Sequence, residues 1–327
     1  MLRRLWINGL HGSKRKRPAE MPMLIRIGAR ASKLAKIQAA SVAEKLRQAV
    51  PEQAFTMVAV HTQGDIDQKS TLGELGGTGV FVKELEAALQ RGEIDLAVHS
   101  AKDMPSALPD EFILAAVPRR DAVEDVLISP SGRTLKRLPA GARLATGSPR
   151  RRALVLSQRP DLNLVDIRGN VDTRLQKLHA GQFDALILAR AGLMRLGLED
   201  VITEILPPEV FVPAAGQGTL AIECRSNDSP AIQIAGKIDS ARDHACLMAE
   251  RSLLAALGAG CSIPVGAWAR WEDGRLIMDA VILDAEGRSA LRATGCVDHA
   301  AEAAALGQTL AQDLLAQGAM EIMRGEG

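Results

Sequence analysis

The sequence predicts two α/β lobes joined by a two-segment hinge, with a small C-terminal α+β domain behind them. Three observations predict it. Apolar strand-like runs alternate with helical patterns from Leu24 to about Cys224, the signature of sheets covered by helices on both faces. Two short crossings interrupt the alternation, Pro118-Arg119-Arg120-Asp121 and Phe211 to Gly218. Beyond residue 241 the order changes to one helix, three strands and a closing helix.

The first lobe opens with a strand at Leu24–Gly28 and a helix from Ser32 to about Val50, whose apolar face includes Leu34, Ile37, Val42 and Leu46. Strands follow at Phe55–Thr62, Ile94–His99 and Ile113–Val117. A Gly-rich loop, Gly73–Gly79, precedes a helix that turns Phe81, Leu85 and Leu89 inward. The second lobe has strands at Val126–Ile128, Arg143–Ala145, Asn163–Ile167 and Ala185–Ala189, read as parallel. Leu220–Cys224 then returns to complete the first sheet. The boundaries are residues 23–118 with 219–238 for lobe 1, 124–212 for lobe 2 and 241–327 for the third domain. Residues 1–22, with Lys14-Arg15-Lys16-Arg17, read as a basic, disordered extension.

Composition narrows the function. A formal net charge of +1 and an aromatic content of 2 % with no Tyr argue against a nucleic-acid surface. No run approaches the roughly 20 apolar residues of a membrane span. The four cysteines form no Cys-x-x-Cys pair, which disfavours zinc and a disulfide framework and fits a reduced, cytoplasmic setting.

Ligands of such sheets gather at the C-terminal strand ends, and three polar clusters sit there. Ser148-Pro149 is a helix start, yet Arg150, Arg151 and Arg152 follow in a first turn that already carries partial positive charge. Three cations in that position call for an anion, a preference the helix end shares. Arg168 and Arg174 repeat the theme. His99 to Pro105 packs a hydroxyl (Ser100), a cation (Lys102) and a carboxylate (Asp103) onto one turn; Asp103 either pairs with Lys102 or stabilises a developing cation. His99 alone reads as a satisfied interior histidine. Cys224, Cys246 and Cys296 read as core or inert. Cys261, on a glycine-flanked turn before Ser262-Ile263-Pro264, is either a structural turn residue or a nucleophile and attachment point.

Seven stretches, taken in order, resemble the porphobilinogen deaminase (hydroxymethylbilane synthase) family: Ile27–Ser32, Gly79–Leu85, Ala97–Pro105, Thr146–Arg151, Ile167–Arg174, Pro213–Gly218 and Gly260–Gly266. The resemblance implies a transferase of heme and tetrapyrrole biosynthesis. In it, four porphobilinogen molecules lose ammonia and join into hydroxymethylbilane, primed by a dipyrromethane held as a covalent thioether on Cys261. It implies that Asp103 is catalytic and that Arg30, Ser32, Ser100, Lys102, Thr146, Ser148, Arg150, Arg151, Arg168, Arg174 and Arg195 bind primer or substrate side chains. No metal is implied, nor a nucleic-acid or membrane partner, and a monomer is expected. Arg152 and Arg190 receive no role. Glu74 and Thr78 stand where many members have lysines, and the basic leader has no counterpart in the bacterial pattern.

Two other classes fit parts of the chain. A non-enzymatic solute-binding protein shares the two hinged lobes, as periplasmic binding proteins do, but needs neither Cys261 nor a third domain. A transferase of phosphate ligands calls for a phosphate loop, and Gly76-Gly77-Thr78-Gly79 lacks the ending of one.

Overall fold

The computed structural model describes residues 24–60, 82–258 and 263–324. The leader, the Gly73–Gly79 loop with Glu74 and Thr78, Phe81 and Cys261 lie outside the described residues.

Lobe 1 is a five-stranded sheet in the order β2-β1-β3-β10-β4. Its strands are β1 (Ile25–Arg30), β2 (Phe55–Val60), β3 (Leu96–Ser100), β4 (Phe112–Ala116) and β10 (Leu220–Arg225). Helix α1 (Lys33–Ala49) is capped by Ser32, whose side chain accepts from the Ala35 N–H, and it buries Ala35, Ala39, Val42, Ala43 and Leu46 on the sheet. On the other side lies α2 (Lys83–Gln90), which buries Leu85, Ala88 and Leu89 against Ile94 and Phe112.

Lobe 2 repeats the plan in the order β7-β6-β8-β5-β9. Its strands are β5 (Asp125–Ile128), β6 (Arg143–Ala145), β7 (Asn163–Val165), β8 (Ala185–Ala189) and β9 (Glu204–Leu206). They carry helices α3 (Pro149–Leu156), α4 (Val171–His179) and α5 (Arg190–Leu196). The chain leaves lobe 2 to add β10 to lobe 1, followed by α6 (Ser229–Ala235), which starts at the N-cap Asp228.

The third unit is α7 (Ala241–Leu257), an antiparallel sheet β11 (Val265–Glu272), β12 (Arg275–Leu283) and β13 (Ala290–Val297), then α8 (Ala303–Ala316) and α9 (Ala319–Arg324). The two helices α7 and α8 pack closely, for a Cβ on Gly307 would lie 2.2 Å from the Ala249 carbonyl oxygen.

The sheets correct one expectation. They are mixed, not parallel: β1, β2 and β3 run together, but β10 is antiparallel to both β3 and β4, and β5 is antiparallel to β8 and β9. Strands that arrive through the hinge enter from the other lobe instead of through a right-handed helical crossover, so they are not bound to the parallel direction.

The two crossings are tied together. The Asp121 N–H donates to the Gly218 carbonyl at 3.2 Å, Arg120 Nε to the Gln217 carbonyl at 2.8 Å, and Gln217 Nε2 to the Val123 carbonyl at 2.7 Å. Gly218 adopts φ +83°, and a Cβ there would meet the Asp121 and Ala122 carbonyl oxygens at 2.7 and 2.6 Å, so only glycine lets the strands approach this closely.

Candidate active site

Strand β3 ends at Ser100, and the chain tightens into one 3₁₀ turn, Ala101–Asp103. Ala101 is buried while the Asp103 side chain is exposed. The Ala101 N–H donates to the Thr219 carbonyl at 3.0 Å, which fixes the turn to the hinge. Gly216 lies against the same turn, at φ +73°, where a Cβ would be 2.9 Å from Ala101 C and Lys102 N.

Asp103 shares a small cavity with Arg30 at the end of β1, with Ser32 at the start of α1, and with Gln38, His99 and Ser100. Gln38 is 4 % exposed and donates from Nε2 to Ser100 Oγ at 2.9 Å. The sequence reading passed over Gln38; its signal was a polar residue on the apolar face of α1. His99 is buried as expected, with Nε2 2.8 Å from Glu223 Oε2.

Across the cleft stand the strand ends of lobe 2. Thr146 is buried, and its Oγ1 accepts from the Ser148 N–H at 3.2 Å. Ser148 caps α3, accepting from the Arg151 N–H, and Pro149 occupies the first turn. The segment leading into loop 168–170 is drawn against the turn after β6, since a Cβ on Gly147 would lie 2.6 Å from the Ile167 carbonyl oxygen. Arg174 Nε donates to the Gly169 carbonyl at 2.8 Å.

The arginine triplet has an internal partner that sequence reading left out. Arg150 and Arg151 are 4 % and 7 % exposed, and both meet Asp125, fully buried on β5: Arg150 Nη2 to Oδ2 at 2.8 Å, Arg151 Nη2 to Oδ1 at 2.8 Å. Arg150 also donates to the Val212 carbonyl at 2.7 Å. Burial raises the cost of the Asp125 charge, but the two guanidiniums and a hydrogen bond from Gln217 overcome it and hold the carboxyl at about 2. The expected anion at this helix start is therefore first a carboxylate of the protein, and it balances one of the two cations. Arg152 Nη1 reaches the Leu164 carbonyl, and Arg190 pairs with Glu124 at 2.9 Å.

Arg195 meets the hinge. It bonds Asp121 at 2.8 Å and the Gly218 carbonyl at 2.7 Å, so it grips the hinge.

The remaining cations feel one another across the cleft. Burial, then Arg151, pushes Lys102 down to about 8, against the pull of Asp103 and Asp125. Burial, then Arg151, brings Arg174 to about 10, with Asp103 opposing and Arg168 adding to the fall. Lys102 and Asp103 belong to lobe 1 and the arginines to lobe 2, so the two motifs face each other. Among the described residues, Lys102, Arg150, Arg151, Arg168 and Arg174 are gathered here with the carboxylates Asp103 and Asp125. That surplus of positive charge in a partly desolvated cleft suits a ligand bearing several carboxylates.

Among the other thiols, burial pushes Cys224 and Cys246 up to about 12, which makes them inert. Of the two alternatives read for Cys296, core or inert, the first does not hold: it is exposed on β13, an edge strand whose alternate positions face solvent. Among the described residues no group of three His, Cys, Asp or Glu is placed to hold a metal, and no helix is long and apolar enough to cross a membrane.

Comparison with known proteins identifies the family. Residues 25–233 match the family model described as porphobilinogen deaminase, dipyromethane cofactor binding domain, and residues 244–316 match porphobilinogen deaminase, C-terminal domain. The porphobilinogen deaminase of Roseiflexus castenholzii is 44 % identical over 91 % of this chain and 98 % of its own length. That of Desulforudis audaxviator is 46 % identical over 91 % and 96 %. Among solved structures, the VFT2 domain of Bordetella pertussis BvgS overlays 66 % of this chain and 86 % of its own at 16 % identity, with a TM-score of 0.40. With two matched family models spanning most of its length, the chain belongs to the porphobilinogen deaminase family.

Proposed function

We propose that this chain joins four porphobilinogen molecules head to tail and releases them with one water as hydroxymethylbilane, giving off four ammonia, with Asp103 as the catalytic carboxylate and Cys261 as the thioether anchor. The observation that carries this reading is the placement of the exposed Asp103 carboxylate opposite a cationic cleft wall. Each pyrrole ring brings an acetate and a propionate, so a full-length chain presents about a dozen carboxylates, natural partners for guanidinium groups. The surplus of cations over carboxylates fits a dipyrromethane primer, which carries four such groups. Arg168, Arg174 and Lys102 would hold it, backed by the buried guanidiniums of Arg150 and Arg151, with Thr146 and Ser148 as hydroxyl donors. When bound, the primer supplies a pyrrole carbon nucleophile.

Arg30, Ser32 and Ser100 line the Asp103 cavity and are suited to orient the side chains of the incoming porphobilinogen. Asp103 then stabilises the cation that forms as the amine departs, and accepts the proton released when the new carbon–carbon bond restores the aromatic ring. Arg195 acts on the hinge, setting how far the lobes open, instead of touching the ligand. We read residues 23–118 with 219–238, 124–212 and 241–327 as the three domains, and the protein as a cytoplasmic monomer, which sedimentation would check.

The test is the intact mass of the purified protein. A thioether-linked pair of pyrroles adds roughly 420 Da, the size of a small cofactor. The wild type is expected to carry that addition and Cys261→Ser to lack it together with activity. An unmodified, active wild type would refute the assignment.

A further inference from the structure

Helix α3, which starts at the cap Ser148 and carries Arg150 and Arg151, is braced at both ends by the third domain. Gly287, in the turn between β12 and β13, is buried against its far end. A Cβ there would lie 2.2 Å from the Ala153 carbonyl oxygen and 2.7 Å from the Ser157 nitrogen. Those two atoms form a closing hydrogen bond of the helix, at 2.9 Å. Gly287 holds φ +68°, so turn and helix meet backbone to backbone where no side chain fits. The turn is also tied to itself. Asp284, 6 % exposed, accepts from the Ser289 N–H at 3.0 Å through Oδ1, and its carbonyl accepts from the Gly287 N–H at 3.1 Å.

The near end is held through the hinge. Gly266 of β11 lies against Val212, whose carbonyl oxygen would be 2.7 Å from a Cβ there, and the Ala267 N–H donates to the Pro213 carbonyl at 2.8 Å. The same Val212 carbonyl accepts from Arg150. Between the two ends, Val281 and Leu283 of β12 share one buried cluster with Ala153, Leu154 and Val155 of α3, and Trp268 packs against it. Helix α3 has eight residues, about 12 Å of rigid rod, in packing too dense to absorb a shift along its length. A displacement at Gly287 is therefore carried down the axis to the arginines.

We propose that Gly287 is a positioning residue for the arginine pair: the backbone contact of the β12–β13 turn with α3 sets where Arg150 and Arg151 stand in the cleft wall. The third domain thereby shapes the anion site from behind. The inference rests on the reading of that wall as the holder of the primer.

The test compares Gly287→Ala with Gly274→Ala in primer-loaded enzyme. Gly274, in the β11–β12 turn of the same domain, has φ +82°, but no described atom lies within 4 Å of where a Cβ would stand. It therefore carries the backbone strain without the contact. Primer content is read by intact mass, folding by thermal midpoint, and kcat and KM for porphobilinogen separately. Both variants should lower the midpoint by a few degrees. Gly287→Ala alone is expected to lower kcat about 10- to 100-fold, with primer content unchanged and KM within about threefold, the effect of a misplaced reacting group. Wild-type kcat in Gly287→Ala, equal losses in the two variants, or a fall in kcat that only follows primer loss would overturn the proposal. If Gly287→Ala does not fold, Asp284→Ala decides it, because losing the acceptor of the Ser289 N–H loosens the turn. A kcat lowered at least about threefold with KM and primer content unchanged supports the proposal, and wild-type kcat refutes it. An Arg151→Lys enzyme, which lacks the planar fork of donors, with wild-type kcat and KM would instead sink the underlying reading.

Discussion

Glu250→Gln removes one charge from a fully buried junction and should cost more stability than its small change in shape suggests. Glu250 Oε1 accepts from Arg120 Nη1 at 2.7 Å and from the Ala269 N–H at 2.8 Å; Oε2 accepts from the Gly216 N–H at 2.6 Å and from Arg120 Nη2 at 3.3 Å. These partners come from one hinge crossing, the other crossing and β11, so a single carboxylate joins the hinge to the third domain. Both side chains of the ion pair are buried, at 7 % and 0 % exposure. A glutamine amide, in either orientation, points an N–H at another donor and leaves Arg120 buried without a counter-charge. Breaking a buried pair from one side costs about 3–5 kcal/mol. At roughly 2–4 °C per kcal/mol for a cooperative unit of 150–250 residues, the lower bound of about 3 kcal/mol lowers the midpoint by about 6–12 °C. The assay is thermal unfolding by calorimetry of wild type, Glu250→Gln, Arg120→Met and the double variant. The double is expected to lose clearly less than the sum of the singles. A midpoint for Glu250→Gln within about 2 °C of wild type, or strictly additive losses, would refute the reasoning.

Three further outcomes follow from the site. Lys102 sits at about 8 in the ligand-free cleft, so it loses its proton above that pH while an anionic ligand favours the protonated form. KM should therefore rise above pH 8, and Lys102→Arg, which stays charged, should keep KM flat to higher pH; an unchanged profile in that variant would remove Lys102 from binding. Asp103→Ala takes away an exposed carboxylate, so its thermal midpoint should stay within a few degrees while turnover falls at least about 100-fold; near-normal rates would exclude Asp103. Gly216→Ala forces a Cβ against the Ala101–Lys102 backbone at 2.9 Å from a positive φ, and should reduce kcat more than it changes KM because the Asp103 turn must move. Equal binding and turnover to wild type would show that the turn tolerates displacement.

The alternation of strands and helices was legible because each buried run is short and bounded. Its limits are also physical. A period of two does not encode strand direction, so the antiparallel entry of β5 and β10 was invisible. Strand β9 is three residues long and begins with Glu204, too short for a pattern. Helix α6 carried its signal, Asp228 before Ser229-Pro230, but its seven residues offered little periodicity. In the site, motif residues at strand ends were found readily, since polar groups there have few structural reasons to cluster. Partners distant in sequence were not: Asp125 lies 26 residues from Arg151, Glu223 lies 124 from His99, and Glu250 lies 130 from Arg120. Each is an acidic residue in an otherwise ordinary element, and only the fold reveals which cation it meets. Asp121, the partner of Arg195, likewise lies 74 positions away.

The position of β10 between β3 and β4 bears on how the molecule is made. As the polypeptide emerges from the ribosome, the strands β1 to β4 appear first yet lack the piece that bridges β3 to β4. That piece is synthesised only after every strand of lobe 2. The second lobe, unbroken in the chain, can close on itself earlier, while the first waits with two unpaired edges exposed. A chain truncated just short of residue 220 and released from the ribosome should therefore hold a protease-resistant second lobe beside a first that is still readily digested.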